Sequence, residues 1–521
     1  MQLSTERDHS ITGDEQSPKL KTESTKNQLL YLSLILLLVG IASRLPLQSH
    51  ILHHWDSVNF GFALENFDVR LHQPHPPGTF VLYILSGRLF NLYLDDGNRS
   101  LVLVSLVATG LAAAVIFLLA AAWTDRRTAI IVSLMMLTSP LIWFQGEVAL
   151  SYMPEFFYVL LIVYVCLKTR DASKSSMFIA SLLIGLAGGV RPNTPFFLFP
   201  LWLFVLIRGL RARTYSAKDV LLAIGLIALG VLIWAVPMIK MSGGIAAYWD
   251  AINWWRRGHL ESSATAQGIA LHLMRLAVFV LYAIGAALLP LIWVVLKDWR
   301  VLKEKLLQDW RAQALSIWIL PGLAYYIFIH VQQSGHTFTI MPAVILLAGF
   351  SIVRLGNFLS QYNRNALLIV TSVVVVSNAL FFIFGPTDIF GVSRVTLIPP
   401  TREAIHQYDD YVSIRLEAIH KHFSPQETII IAGSRNFRIP DYYLREYQNT
   451  SLSYQLREEF IALPDHVNTL VIFDDELAEQ LSTDSIFETL SLPQGSRLHY
   501  VRWGHEQEAK LSRVGLRIQS K

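Results

Sequence analysis

The sequence predicts an all-α polytopic membrane protein with a small α/β domain at its C-terminal end, and three observations carry that prediction. Of 521 residues, 53% are hydrophobic and only 16% charged, against about a quarter charged in an ordinary soluble chain. The charge is gathered in the first thirty residues, in short loops and beyond residue 385. Between those regions lie about eleven apolar runs, most of them near the roughly 20 residues that cross a hydrocarbon core as a helix.

The runs are 29–46, 100–122, 129–145, 148–167, 177–190, 194–208, 219–239, 276–296, 312–331, 338–353 and 366–384. Residues 1–27 are polar and mixed in charge, which reads as a disordered cytoplasmic tail rather than a signal peptide. The transmembrane region is 28–384, with long outer loops at 47–99 and 240–275. Within the first of these, 79–94 is too short to span and predicts a helix lying in the interface. The single cysteine, Cys166, excludes an internal disulfide and thiolate-built metal sites.

Short cytoplasmic loops should carry the Lys/Arg excess. With the N-terminus inside, the inward loops hold Arg126 and Arg127; Lys168, Arg170 and Lys174; Arg208 to Lys218; Lys297 to Arg311; and Arg354 and Arg364. All are basic. The stretch 177–208 is read as two short helices turning at Arg191–Pro195, because one span there would reverse every later loop. Residues 385–521 then form an extracytoplasmic α/β domain, with strands at 428–432, 469–473 and 497–503 and helices near 403–422 and 475–481.

The first outer loop, HHWDSVNFGFALENF followed by LHQPHPPGTF, holds the most chemistry. Asp56, shielded by Trp55, is a candidate general base with a raised pKa, or else the cap of a helix beginning at Ser57. His53, His54, His72 and His75 lack the i, i+4 spacing of a helical metal site, although a divalent metal stays possible. Glu147, like Glu155, sits at a helix end on the outer side, and an acid there needs a cavity or a partner. Arg191, Arg256, Arg257 and His336 run against the inward bias; guanidinium groups there suit a phosphate or diphosphate, or lipid headgroups. Nothing suggests nucleic acid, and there is no phosphate-binding glycine loop, nucleophile elbow or HExxH.

An inward N-terminus, an acid soon after the first span, a His-Pro-Pro segment, Glu147 to Pro154, Gly-Gly-Val-Arg-Pro at 188–192 and Met-Pro at 341 together resemble the GT-C superfamily of membrane glycosyltransferases. The protein O-mannosyltransferase and aminoarabinose transferase relatives are nearest in pattern. The resemblance implies a GT-C-like transmembrane domain that moves a sugar, with inversion, from a polyprenyl-phosphate donor to a lipid, glycan or protein hydroxyl outside the plasma membrane. It implies Asp56 as the base, Glu147 or His75 at the acceptor or as a second acid, and Arg191, Arg256, Arg257 and His336 at the donor phosphate. Relatives frequently carry Asp-Glu where this chain has Asp56-Ser57. A flippase or polysaccharide transporter, or an O-antigen ligase or polymerase, is the alternative.

Overall fold

The computed structural model describes residues 18–168, 173–260, 266–388, 397–433, 436–452, 460–463, 466–480, 487–502 and 517–520; for 18–26, 254–260, 266–267, 450–452, 460–463, 480 and 517–520 it gives the backbone alone. Most of the polar N-terminal tail therefore lies outside the described residues. The chain runs through α1 (Pro18–Ala42), α2 (Trp55–Glu65), α3 (Val81–Leu94), α4 (Gly97–Trp123), α5 (Arg126–Thr138), α6 (Pro140–Gly146), α7 (Tyr152–Leu167) and α8 (Lys174–Ala187). It continues through α9 (Asn193–Arg211), α10 (Ala217–Met241), α11 (Ile245–Leu260), α12 (Ala266–Ile284), α13 (Leu288–Gln308), α14 (Trp310–Phe328), α15 (Met341–Leu359) and α16 (Ala366–Phe384).

Every apolar run falls on helix, yet fewer of these helices can cross a bilayer than the sequence suggests. Among the described residues seven stretches are long and apolar enough, or eight if α5 and α6 are one bent span. The bend between those two is 62°. It falls where Pro140 cannot continue the helix and Ser139 caps the next one by accepting the Ile142 N–H. Helices α7 and α8, at 16 and 14 residues, are short. The break after α8 sits at 188–192, and α8 then crosses α10 closely: a Cβ on Gly185 would lie 2.9 Å from the Gly230 Cα.

In the first outer segment α3 exposes Leu85, Leu89, Leu92 and Tyr93, as a helix resting in lipid headgroups would. The loop before it carries cis bonds at Gln73–Pro74 and Pro76–Pro77. Gly78 closes that loop at φ +75°, where a Cβ would meet Val69 at 2.1 Å, so no other residue fits without displacement.

Beyond α16 the chain forms α17 (Arg402–His422), β1 (Thr428–Gly433), α18 (Ile439–Tyr443), β2 (Gln448–Leu452), β3 (Phe460–Leu463), β4 (Thr469–Ile472), α19 (Asp475–Gln480), β5 (Glu488–Ser491), β6 (Arg497–Arg502) and β7 (Arg517–Ser520). The main sheet has the order β2-β1-β4-β6-β5, parallel across the first three strands and antiparallel at β6 and β5. Strands β1 and β4 are buried throughout, which is why they read as unbroken apolar runs. Arg415 of α17 is buried and fully engaged, donating to the Phe473 and Arg497 carbonyls and to Asp475 at 2.6 Å.

Candidate active site

Helix α2 begins at Trp55, two residues earlier than the sequence suggests. His54 is the cap: its Nδ1 accepts the Asp56 N–H at 3.1 Å. Asp56 therefore does not cap a helix starting at Ser57. It stands in the first turn with its carboxylate turned toward the Pro-rich loop, where its charge also suits the positive end of the helix.

Two imidazoles flank that carboxylate. His75 Nδ1 lies 3.2 Å from Oδ1 and His54 Nδ1 3.4 Å from Oδ2. The left-handed turn at His72 and the loop that follows deliver His75 to this point, where its ring packs between Phe60 and Phe80. Burial pushes the Asp56 carboxyl up, but the neighbouring His75, His54 and Arg191 outweigh it and hold the group well below the usual carboxylate range. The raised pKa expected from sequence is thus reversed, because the sequence shows the apolar shield but not the approach of His75 and Arg191 from distant segments.

Arg191 reaches the same place from the turn between α8 and α9. Its Nε pairs with Glu155 Oε2 at 3.0 Å, and Nη1 donates to the Ser151 hydroxyl at 2.9 Å. Its guanidinium lies over the Tyr152 ring, 4.3 Å from the centroid. Glu155 is held from its other side by the Thr194 hydroxyl at 2.7 Å. The Tyr152 hydroxyl donates to Gln333 Oε1 at 2.6 Å, and the Gln333 amide nitrogen lies 3.1 Å from His54 Nε2. His336, on the 3-10 turn Ser334–Thr339, packs its ring 6.1 Å from that of Tyr152 and 5.3 Å from that of His330. Burial and the charges of Arg191 and His330 push its pKa well below the ordinary imidazole value, despite Asp56 nearby. His336 is accordingly neutral, a hydrogen-bonding group rather than a cation.

Asp56, His75, Arg191 and His336 are thus brought together from four separate segments. Glu147 joins a different group: it accepts the Trp143 indole N–H at 3.0 Å, and Arg44 stacks over that indole at 4.8 Å. The carboxylate paired with Arg191 is Glu155, which sits eight positions further on and shares the same flanking signals, so nothing local distinguishes the two. Arg256 and Arg257 lie on α11, but their side chains are outside the described residues. His54 and Gln333 were legible only as a loop histidine and a polar outer turn. Among the described residues no group of three or more His, Cys, Asp or Glu is arranged to hold a metal ion.

No family model matches the chain, and no curated protein does. Solved structures do. ArnT from Cupriavidus metallidurans bound to undecaprenyl phosphate superposes with a TM-score of 0.53 at 12% identity, over 92% of this chain and 98% of that one. The Archaeoglobus fulgidus oligosaccharyltransferase tethered to an acceptor peptide gives 0.46 at 12% identity, over 91% of this chain and 74% of that one. At such identity the first likeness is one of fold: over nearly the whole of both chains, this chain is built as that ArnT is.

Proposed function

We propose that this chain is an inverting glycosyltransferase that moves a sugar from a polyprenyl-phosphate donor to an acceptor hydroxyl on the extracytoplasmic side of the membrane. The observation that carries the reading is a buried carboxylate, Asp56, set between two imidazoles and beside the guanidinium of Arg191. The fold shared with ArnT over nearly the whole of both chains supports the donor class, since that ArnT is bound to undecaprenyl phosphate. The orientation that follows puts the N-terminus inside, about eleven membrane passages in all with the short helices included, and the C-terminal domain outside.

In the reaction the acceptor oxygen attacks the anomeric carbon while the bond from that carbon to the phosphate oxygen breaks. The electron pair leaves on the lipid phosphate, configuration inverts, and the acceptor proton passes to Asp56. A carboxylate of depressed pKa is a weak base toward a resting hydroxyl. Its work is to orient the nucleophile, and to take the proton late, once the forming bond has made that hydroxyl acidic. Arg191 faces the growing phosphate charge. Glu155 holds the guanidinium in place, while neutral His336 supplies a hydrogen bond. Arg256 and Arg257 are proposed as further phosphate contacts, and His75 as the group that orients Asp56 toward the acceptor.

The test is sugar release from a panel of radiolabelled polyprenyl-phosphate sugars, wild type beside Asp56→Asn. One donor should turn over in the wild type, and the substitution should remove at least about 1,000-fold of the rate while donor binding persists. An active Asp56→Asn enzyme refutes the base, and a donor panel that stays intact while a control enzyme works refutes the transferase.

A further inference from the structure

The C-terminal domain meets the first outer loop at two places: Tyr408 and Asp409 of α17 reach His53, Ser49 and His50, and the segment 436–445 reaches α2 and the loop after it, a second contact that is not spread evenly. At its outer edge Arg445 forms a two-pronged pair with Glu65 at 2.9 and 2.6 Å, with both side chains about half exposed. Deeper in, Arg438 is only 14% exposed and sits over the Phe62 ring at 4.7 Å. Its Nη1 donates to the Asn59 side chain on α2, to the His72 carbonyl at 3.1 Å and to the Leu71 carbonyl at 3.5 Å. One guanidinium thereby spans the helix that carries Asp56 and the left-handed residue that opens the loop carrying His75.

We propose that Arg438 is a positioning residue: the C-terminal domain uses it to lock the His72–Gly78 loop onto α2 and so sets the His75–Asp56 contact. This rests on the reading of Asp56 as the base. Asn59 is one helical turn beyond Trp55-Asp56, on the same short helix, so a bond to Asn59 fixes that helix along its length. The carbonyls of Leu71 and His72 come immediately before the Gln73–Gly78 segment, so holding them sets where that segment starts. A lysine there would keep the charge but end one bond short of Nη1 and lose the planar group that lies over Phe62. The charged and titratable groups around Asp56 are His54, His75, Tyr152, Arg191 and His336; around Arg438 they are Asp441 and His72.

Two readouts separate positioning from docking. First, Arg438→Ala and Arg438→Lys should lower kcat about 10- to 100-fold with donor KM within about 3-fold, whereas Arg445→Ala should stay within about 2-fold. The acid limb of the kcat/KM profile should also move upward in the Arg438 variants. With His75 displaced, burial of Asp56 is opposed only by His54 and Arg191. Second, His75 carbethoxylation by diethylpyrocarbonate, followed by mass spectrometry, reads the loop without any need for turnover. Labelling of His75 should rise in Arg438→Ala and Arg438→Lys and stay at wild-type level in Arg445→Ala. Equal losses in the Arg438 and Arg445 variants, or unchanged His75 labelling in a folded Arg438→Lys protein, would overturn the proposal. Because the labelling needs no substrate, a wild-type protein without transferase activity refutes the function and leaves this inference standing on its own result.

Discussion

Two buried arginines, Arg44 and Arg191, each stand beside a glutamate at the outer end of the helical bundle, and their surroundings differ in the one respect that separates architecture from chemistry. Arg44 is 1% exposed and Glu147 not at all. The Arg44 guanidinium donates to the Leu137 carbonyl and the Ser43 hydroxyl, both at 2.7 Å, and stacks on Trp143. Its bonds run between α1 and the end of α5, so it ties helices together. Arg191 instead keeps 14% exposure, is gripped from behind by Glu155 and Ser151, and faces the Asp56 cluster. A guanidinium sealed inside the protein, with both Nη groups on protein acceptors, has no open edge for a substrate. One held by its Nε and a single Nη, with an open edge toward a carboxylate, has a face to offer.

The comparison predicts different phenotypes for the same substitution. Arg44→Ala removes the buried hydrogen bonds to Leu137 and Ser43 and the stacking on Trp143, which should destabilise the folded chain by about 1.5–3 kcal/mol. The expected result is a large loss of purified, monodisperse protein, with near-normal turnover in whatever remains folded. Arg191→Ala should differ in turnover: some yield is lost because Glu155 stays buried without its partner, but in the folded protein donor KM rises about 10- to 100-fold, the loss expected for charge-assisted hydrogen bonds of roughly 1.5–3 kcal/mol. Detergent thermal-shift curves and donor titrations on both variants check the pair. If Arg191→Ala unfolds the protein while Arg44→Ala raises donor KM, the two roles are exchanged.

The same contrast shows what the sequence carries and what it leaves out. The helices were legible because a bilayer demands apolar length and cytoplasmic loops demand basic residues, and both demands are written locally. Strands β1 and β4 were legible for a related reason, since a strand buried on both faces must be apolar throughout. Strands β2 and β5 were missed: QNTSL and ETLS lie at the sheet edges, where burial asks little of the side chains. Within the site, Asp56, Arg191 and His336 stood out because each is polar where lipid or headgroup surrounds it. Which glutamate pairs with which arginine was not legible. Glu147 and Glu155 lie eight residues apart, and the break between α6 and α7 sends them to different neighbours. The low pKa of Asp56 was hidden for the same reason, since His75 and Arg191 arrive beside it from distant positions.

His336 gives the smallest expected effect and sharpens the comparison from the neutral side. Unlike the two arginines it carries no charge at neutral pH, because burial and the adjacent Arg191 and His330 press its pKa well below the usual imidazole value. A group whose pKa is lowered in this way stays deprotonated as pH falls through the ordinary imidazole range near 6.5, and protonates only at lower pH. Turnover should therefore pass smoothly from pH 8 to about pH 6 with no inflection due to this residue. His336→Gln, which keeps a hydrogen-bonding side chain of similar reach, should cost no more than about 5-fold in donor kcat/KM, the weight of one neutral hydrogen bond near 1 kcal/mol. Asp56 stays ionised throughout that range, because its own pKa is depressed, so it adds no inflection either. A step near pH 6.5 that vanishes in His336→Gln would mean that the imidazole is a working cation, and the donor phosphate would then be met by two charges rather than by Arg191 with a neutral neighbour.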